Sequence, residues 1–211
     1  MKIKYIAAVL IAIAGLGLQQ AKADTFNFTS DHCTAACGPQ SSFGTVTLTQ
    51  VGSNVNVVVS LLNGNQFVKT GAGGNMYFLF DNAGITLANI TSISGAPAGT
   101  TAFAGPIHAD GTGDWAWGIG CASCAIGGGA AFPGPITFTV TNTTLAAMEV
   151  GHLVSGFGTE LFVADILSGT TGATGDVDVN TPARVPDGGA TVMLLGTALG
   201  ALGMARRFIM S

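Results

Sequence analysis

Short runs in which hydrophobic and polar residues alternate, separated by turn residues, fill most of the chain between Phe26 and Asn180. The clearest two are residues 45–49 and 55–61, on either side of the turn Gly52-Ser53-Asn54. A period of two indicates β-strands with one face buried, so these runs predict a β-hairpin. Similar runs predict further strands at residues 76–80, 85–93, 100–104, 114–120, 136–141 and 161–167, and residues 143–148 predict one helical turn.

Eight to ten such strands with polar-out and apolar-in positions predict an all-β protein. The expected architecture is an antiparallel β-sandwich or a jelly-roll-like fold, formed by residues 24–167 as one extracytoplasmic domain. No internal repeat of a solenoid or propeller is visible in the sequence. Residues 168–184 are rich in glycine and threonine, and this composition predicts a mobile linker.

Composition and charge agree with an exported β-protein. Charged residues make up 9% of the 211, hydrophobic residues 48%, and 32 residues are glycine. Between Asp24 and Arg184, two basic residues stand against ten acidic ones, a net charge of −8. Phosphate backbones are bound through lysine and arginine, so nucleic acid is excluded as a partner.

The N-terminus has the three parts of a secretory signal peptide over residues 1–23. Lys2 and Lys4 precede an apolar run at residues 6–18, which is long enough for a signal peptide but short for a membrane span. Ala21 and Ala23 supply the small side chains of a cleavage site, and we expect export by the Sec route with a mature start at Asp24. The alternative is an N-terminal anchor helix.

Residues 185–211 have the features of a membrane tail. The segment Val185-Pro186-Asp187-Gly188-Gly189 precedes an apolar run at residues 190–205, followed by Arg206 and Arg207. Sixteen helical residues rise about 24 Å, so this short transmembrane helix is a marginal anchor. The two arginines favour a cytoplasmic C-terminus.

This order of turn motif, short apolar helix and terminal arginines resembles the PEP-CTERM sorting signal, in its VPDSG-CTERM form. The resemblance covers about 25 residues of tail. It implies a substrate of an exosortase, held by its C-terminal helix in the inner membrane until it is processed near residues 185–189. It further implies release to the cell surface or the extracellular space together with exopolysaccharide. An ordinary C-terminal anchor without processing is the alternative.

The four cysteines form two closely spaced pairs, Cys33 with Cys37 and Cys121 with Cys124. An even number of cysteines in an exported chain favours disulfides. We favour the two local pairs, because each lies in a glycine- or alanine-rich turn. A zinc site ligated by all four thiolates is the alternative.

Two acidic clusters are candidates for hard cations. Asp110 and Asp114 flank Gly-Thr-Gly, while Asp176 and Asp178 alternate with valine. Carboxylates at this spacing offer oxygen ligands to Ca²⁺. We expect solvated aspartates, no metal and no effect of calcium on stability, with a weak calcium site as the alternative.

Catalytic motifs are absent from the sequence. HExxH, GxSxG and SxxK do not occur, and the three histidines show no metal-ligand spacing. Trp115 and Trp117 alternate on a predicted strand, so they are either core residues or a glycan-stacking face. The sequence leaves open a pair of carboxylates that hydrolyses glycosides, because the distance between two carboxylates depends on the three-dimensional fold.

The sequence therefore predicts an exported, non-catalytic surface or extracellular-matrix protein that needs no cofactor. Its expected partners are an exosortase and an exopolysaccharide. A carbohydrate-binding module is the second hypothesis, and a glycan-active enzyme is the third.

Overall fold

A computed structural model of the chain describes residues 22–154, 158–180 and 185–186, and residues Ala23–Pro186 form one compact unit. Helical structure is confined to two 3₁₀ turns, Leu87–Asn89 and Gly128–Ala130, and to α1, Leu145–Met148, within those ranges. The strands are β1 Ala23–Phe28, β2 Ser30–Asp31, β3 Gly44–Val51, β4 Asn54–Leu61, β5 Gln66–Phe67, β6 Phe78–Phe80, β7 Ile90–Ser94, β8 Thr101–Ala109, β9 Gly113–Gly120, β10 Ile136–Val140, β11 His152–Val154, β12 Gly158–Leu167, β13 Thr174–Asn180 and β14 Val185–Pro186.

The strands form two antiparallel sheets. Sheet A has the order β14-β1-β3-β4-β10-β7. Sheet B has the order β2-β13-β12-β6-β9-β8, with the short strands β5 and β11 also paired to β12. Neighbours that are distant in sequence, such as β4 beside β10, make the sheets depend on long-range contacts.

Aromatic side chains from both sheets meet in the main core. Phe26 of sheet A lies 5.4 Å from Phe162 of sheet B, measured between ring centroids. Phe138 of sheet A contacts both Phe78 and Phe80 of sheet B. All five rings are almost completely buried. These contacts hold the sheets face to face and confirm the predicted all-β sandwich.

The hairpin predicted around Gly52 is confirmed as β3 and β4. Val51 pairs with Asn54, so Gly52 and Ser53 form a two-residue turn. Gly52 has a φ of +60°, a conformation that glycine adopts without steric cost. Buried and part-exposed residues alternate along β3, as the sequence pattern predicts.

The predicted helical turn is confirmed as α1. The side chain of Thr144 accepts a hydrogen bond from the Ala147 amide, which caps the first turn. The predicted strand over residues 85–93 is only partly correct, since a 3₁₀ turn precedes β7 there.

The predicted linker at residues 168–184 is wrong for its longest described part. Residues 174–180 form β13, which lies between β2 and β12 in sheet B. Val177 and Val179 point into the main core, and Asp176 and Asp178 are 0% exposed on the opposite face. Gly175 packs against the backbone of Cys33, so glycine here allows close approach, not mobility.

Sheet B carries a second buried layer on its outer face. Leu79, Ala109, Trp115 and Val163 form a small apolar cluster there, with Met76 and Ile107 packed against it. The turn at residues 71–75 and the β8–β9 turn are joined by a hydrogen bond from the Asp110 amide to the Ala72 carbonyl. Together they cover this face from solvent.

The tail helix predicted at residues 190–205 lies outside the described residues, and so do residues 1–21 of the signal peptide predicted at residues 1–23. Within the described residues, no helix has the length and hydrophobicity needed to cross a membrane.

Candidate functional site

An open groove lies beside the β8–β9 pair on sheet B. It is lined by Asp81, Ala104, Gly105, Pro106, Asp114, Trp115, Ala116 and Trp117. Both predicted glycan-contact tryptophans therefore border the same depression. The exposed fractions of the two tryptophan side chains differ, and this difference determines which of them can contact a ligand in the groove.

Trp115 is a core residue. It is 1% exposed, its Nε1 donates to the Thr112 hydroxyl at 3.1 Å, and its ring packs edge-on against His152. The possible role of Trp115 in stacking on a sugar is therefore wrong, because its face is already covered. Trp117 is partly exposed, and its Nε1 donates to the Asn82 carbonyl. A glycan contact by Trp117 stays a prediction.

The carboxylates of the groove already have partners. One oxygen of Asp81 accepts from the Ala116 amide and the other contacts Nδ1 of His152 at 2.6 Å. Asp114 contacts Nδ1 of His108 at 2.8 Å, and both side chains are exposed. Asp81 thus connects β9 with His152 of β11, whereas the pair of His108 and Asp114 joins the two strands of the β8–β9 hairpin.

A row of buried acids crosses β12 and β13 on the outer face of sheet B. Asp165 lies directly opposite Asp176, and Val163 lies opposite Asp178. Glu160, at the start of β12, is also 0% exposed. The expectation of solvated turn aspartates is therefore wrong for Asp176 and Asp178.

Burial changes the acidity of this row. Burial raises the pKa of Asp165 to about 6, against the hydrogen bonds from Thr70 and the backbone of Gly73, which lower it. Burial, and then the neighbouring carboxyl of Asp178, raise the pKa of Glu160 to about 8. The pKa of Asp176 lies well above its usual range, because of burial first and then the charges of Asp165, Asp110 and Asp178.

Sequence reasoning did not single out Glu160 and Asp165. Both lie within or beside the run at residues 161–167, which predicts a buried strand. The sequence did contain a signal: an acidic residue within a run of apolar residues indicates a buried acid. Such positions are unusual because charged groups are rarely buried without a partner.

The predicted local disulfides are confirmed. Cys33 is bonded to Cys37 and Cys121 to Cys124, with Cα–Cα distances of 5.4 and 5.3 Å. Asp31 lies beside the first pair, within 4.8 Å of both sulfur atoms. Because all four sulfurs are in disulfides, they leave no thiolate for the alternative zinc site.

The start of the predicted sorting motif is an edge strand of sheet A. In β14, Val185 pairs with Thr25 and Pro186 pairs with Asp24. Proline suits an edge position because it has no amide hydrogen to donate. The first two motif residues are therefore attached directly to the sandwich, beside the predicted mature N-terminus.

Comparison with protein families finds a match to the VPDSG-CTERM motif at residues 184–208. This segment includes Val185, Pro186, Asp187, Gly188 and Gly189 as well as Arg206 and Arg207. The motif is a PEP-CTERM-like exosortase sorting signal, so the chain is directed to the cell surface by exosortase-dependent export. No curated protein and no solved structure shows significant similarity to the chain.

Proposed function

We propose that this chain is a non-catalytic surface or extracellular-matrix protein that associates with exopolysaccharide after exosortase processing. The sorting motif at residues 184–208 is the observation that carries this proposal. In it, the precursor is exported by the Sec route, is held briefly in the inner membrane by residues 190–205, and is then released outward.

The arrangement of acids and histidines supports a structural role for them. Each histidine is bound to a carboxylate: His32 to Asp178, His108 to Asp114 and His152 to Asp81. The pairs of His32 and His152 are part-buried contacts between segments distant in sequence. Such contacts connect the loops around the sandwich to its strands, and this supports a structural role for these histidines and acids.

The outer face of sheet A supports contact with a neutral polymer. Hydroxyl and amide side chains project from it in hydrogen-bonded pairs: Thr25 with Thr47, Asn56 with Thr139, and Ser94 with Thr137. This surface offers donors and acceptors without charge, and such groups match the hydroxyls of a polysaccharide.

A carbohydrate-binding module is the second candidate, because Trp117 borders the groove beside Pro106 and Asp114. A partly exposed indole presents apolar area to a sugar face. In this second candidate function, the groove makes the main contact with the polysaccharide, and the outer face of sheet A does not.

Retention of the purified exported protein on the producer's own exopolysaccharide tests the proposal. We expect retention that Trp117→Ala leaves unchanged if sheet A makes the contact, and retention that Trp117→Ala abolishes if the groove does. Leu153→Ala, at a side chain that is 83% exposed elsewhere, is the matched control. Absence of retention would contradict the association with exopolysaccharide, and release of a glycan product that Asp114→Asn prevents would contradict a non-catalytic role.

A further inference from the structure

The outer face of sheet A carries an ordered, uncharged array of side chains. Residues that pair across β1, β3, β4, β10 and β7 point to the same side of the sheet, so they form rows that run across the strands. The middle row consists of Thr25, Thr47, Val58, Thr137 and Ser94. The rows on either side of it contain, apart from Ala23, only threonine, serine and asparagine. The acids of the domain lie outside these three rows, so the array is neutral.

An open depression lies within this array, between β4, β10 and β7. Its volume is about 330 Å³, and the side chains that line it from the outer face are Asn56, Val58, Ser92, Thr137 and Thr139. Val58 is the one apolar member of this set, and it is only half-buried. A small apolar area surrounded by hydroxyl and amide groups can contact the C–H groups of a ligand and fix its position by hydrogen bonds.

Strands β7 and β10 pair irregularly beside the depression. The register shifts between Thr137 and Thr139, where β7 contains an additional residue. Ser92 lies in this bulge with a φ of +56°, a left-handed conformation that is uncommon for serine, and its exposed side chain lines the depression. Bulges redirect side chains and are frequent beside functional sites, where such strained residues also concentrate. The irregular pairing therefore adds the Ser92 side chain to the polar groups of the depression.

The polar groups of the depression are ordered by contacts between strands. Thr139 Oγ1 donates to Oδ1 of Asn56 at 2.9 Å, and the hydroxyl oxygens of Ser94 and Thr137 lie 2.7 Å apart. Threonine also has few side-chain rotamers because it branches at Cβ. A surface that is ordered before binding loses little side-chain entropy when a ligand arrives, so several weak hydrogen bonds can give a measurable affinity.

The composition of the array selects the class of ligand. A protein partner requires an apolar interface core, and among the residues of the rows only Val58 and Ala23 are apolar. An anionic polymer requires basic groups. Lys69, the only lysine or arginine of the described ranges besides Lys22 of the predicted signal peptide, is buried and donates to the Cys121 carbonyl. A neutral polysaccharide needs neither an apolar core nor basic groups, because its hydroxyls can both donate hydrogen bonds to the array and accept them from it.

We propose that the array binds a neutral polysaccharide chain that lies across the strands and is anchored in the depression at Val58. This inference rests on the proposed function, to which it adds the position of the site, the neutral class of the polymer and a dependence on chain length. From β1 to β7 the rows span about 19 Å, at a strand spacing of about 4.8 Å. A single sugar unit covers only part of this distance, so a free monosaccharide does not compete with the polymer.

Affinity electrophoresis of the exported protein tests the proposal. The gels contain the neutral or the acidic fraction of the producer's exopolysaccharide, separated by anion exchange, or hydroxyethylcellulose as a defined neutral polymer. We expect both neutral polymers to retard the protein, the acidic fraction to have no effect, and an excess of free glucose to leave the retardation by hydroxyethylcellulose unchanged.

The double variant Asn56→Ala and Thr137→Val removes polar groups of the depression without adding charge. Its affinity should fall about fivefold or more, since each lost hydrogen bond contributes roughly this factor. Ser92→Gly should bind more weakly but be at least as stable as wild type, because glycine adopts a positive φ freely. Thr101→Val, at an exposed threonine of sheet B, is the matched control and should bind like wild type.

The outcomes separate this inference from the proposed function. Retention on the exopolysaccharide that the double variant leaves unchanged would overturn the site alone, and retention by the acidic fraction only would overturn the neutral class. Retention on hydroxyethylcellulose that the double variant abolishes, without retention on exopolysaccharide, would support the site and contradict the proposed function. Absence of retention on every polymer would overturn both.

Sedimentation without polysaccharide tests the competing occupant of this face. We expect the wild-type protein to be a monomer under the conditions of the binding experiment. A wild-type dimer that the same double variant dissociates would assign the array to a second copy of the chain and would overturn the proposal.

Discussion

The buried acids of β12 and β13 give the sandwich an unusual dependence of stability on pH. Asp165 and Glu160 have pKa values near 6 and 8 in the folded protein, compared with about 4 in an unfolded chain. The folded state therefore holds protons that the unfolded state has lost. For carboxyls with raised pKa values, this contribution to stability is complete below about pH 4 and is lost as the pH rises through the folded values.

The size of the effect follows from the number of protons released. As the pH rises, each group that is protonated only in the folded state lowers the free energy of unfolding by up to about 1.4 kcal/mol per pH unit. For a domain of this size, 1 kcal/mol corresponds to roughly 2–4 °C in Tm. Between pH 5 and 6 both groups contribute, and between pH 6 and 8 mainly Glu160 does. Because the pKa of Asp176 is also raised, this residue too lowers the stability as the pH rises.

Thermal unfolding at half-unit steps from pH 5 to 8 measures how Tm changes with pH. We expect Tm to fall by roughly 3–5 °C per pH unit for each titrating group. Asp165→Asn should flatten the curve between pH 5 and 6, whereas Leu153→Ala, at an exposed apolar side chain, should not. A Tm that stays constant or rises over this range would refute the reasoning, because the acids would then be ionised at no cost.

Three further predictions concern the rest of the chain. Mass spectrometry of the exported protein should place the N-terminus at Asp24, and an intact Met1 would contradict the signal peptide. Replacing Cys33 and Cys37 by serine should lower the free energy of unfolding by only about 2 kcal/mol, measured by urea unfolding, because the disulfide closes a short loop. A variant as stable as wild type would show that the disulfide does not restrict the unfolded chain. Phe78→Ala should cost about 3–5 kcal/mol, since this buried ring contacts three other phenylalanines, whereas Leu153→Ala should change stability by less than about 0.5 kcal/mol.

Local patterns were sufficient for the parts of the fold that depend on neighbouring residues. The hairpin of β3 and β4 has both its alternation and its turn within residues 44–61, and α1 has its cap at Thr144 next to its first turn. The disulfides were also predictable, because each joins cysteines three or four residues apart.

The misassigned parts depend on contacts that no local pattern contains. Residues 174–180 have the composition of a linker, but β12 and β2 pair with them and bury their valines. Trp115 and Trp117 have the same spacing as a stacking pair, but Trp115 is covered by His152 and the outer apolar cluster. Asp165 and Asp176 meet only when β12 and β13 pair, so predicting this buried acidic pair required the topology as well as the residues.

Exosortase-dependent sorting by the C-terminal motif is the central claim, and fractionation with C-terminal peptide mapping tests it most directly. In a wild-type producer, the surface form should lack peptides from residues 193–211. A variant with Pro186→Ala and Asp187→Ala, or a producer without exosortase, should retain these peptides in its membrane fraction. Processing and export of the double variant at the wild-type level would contradict the claim, because the motif would then be an ordinary turn before a membrane anchor.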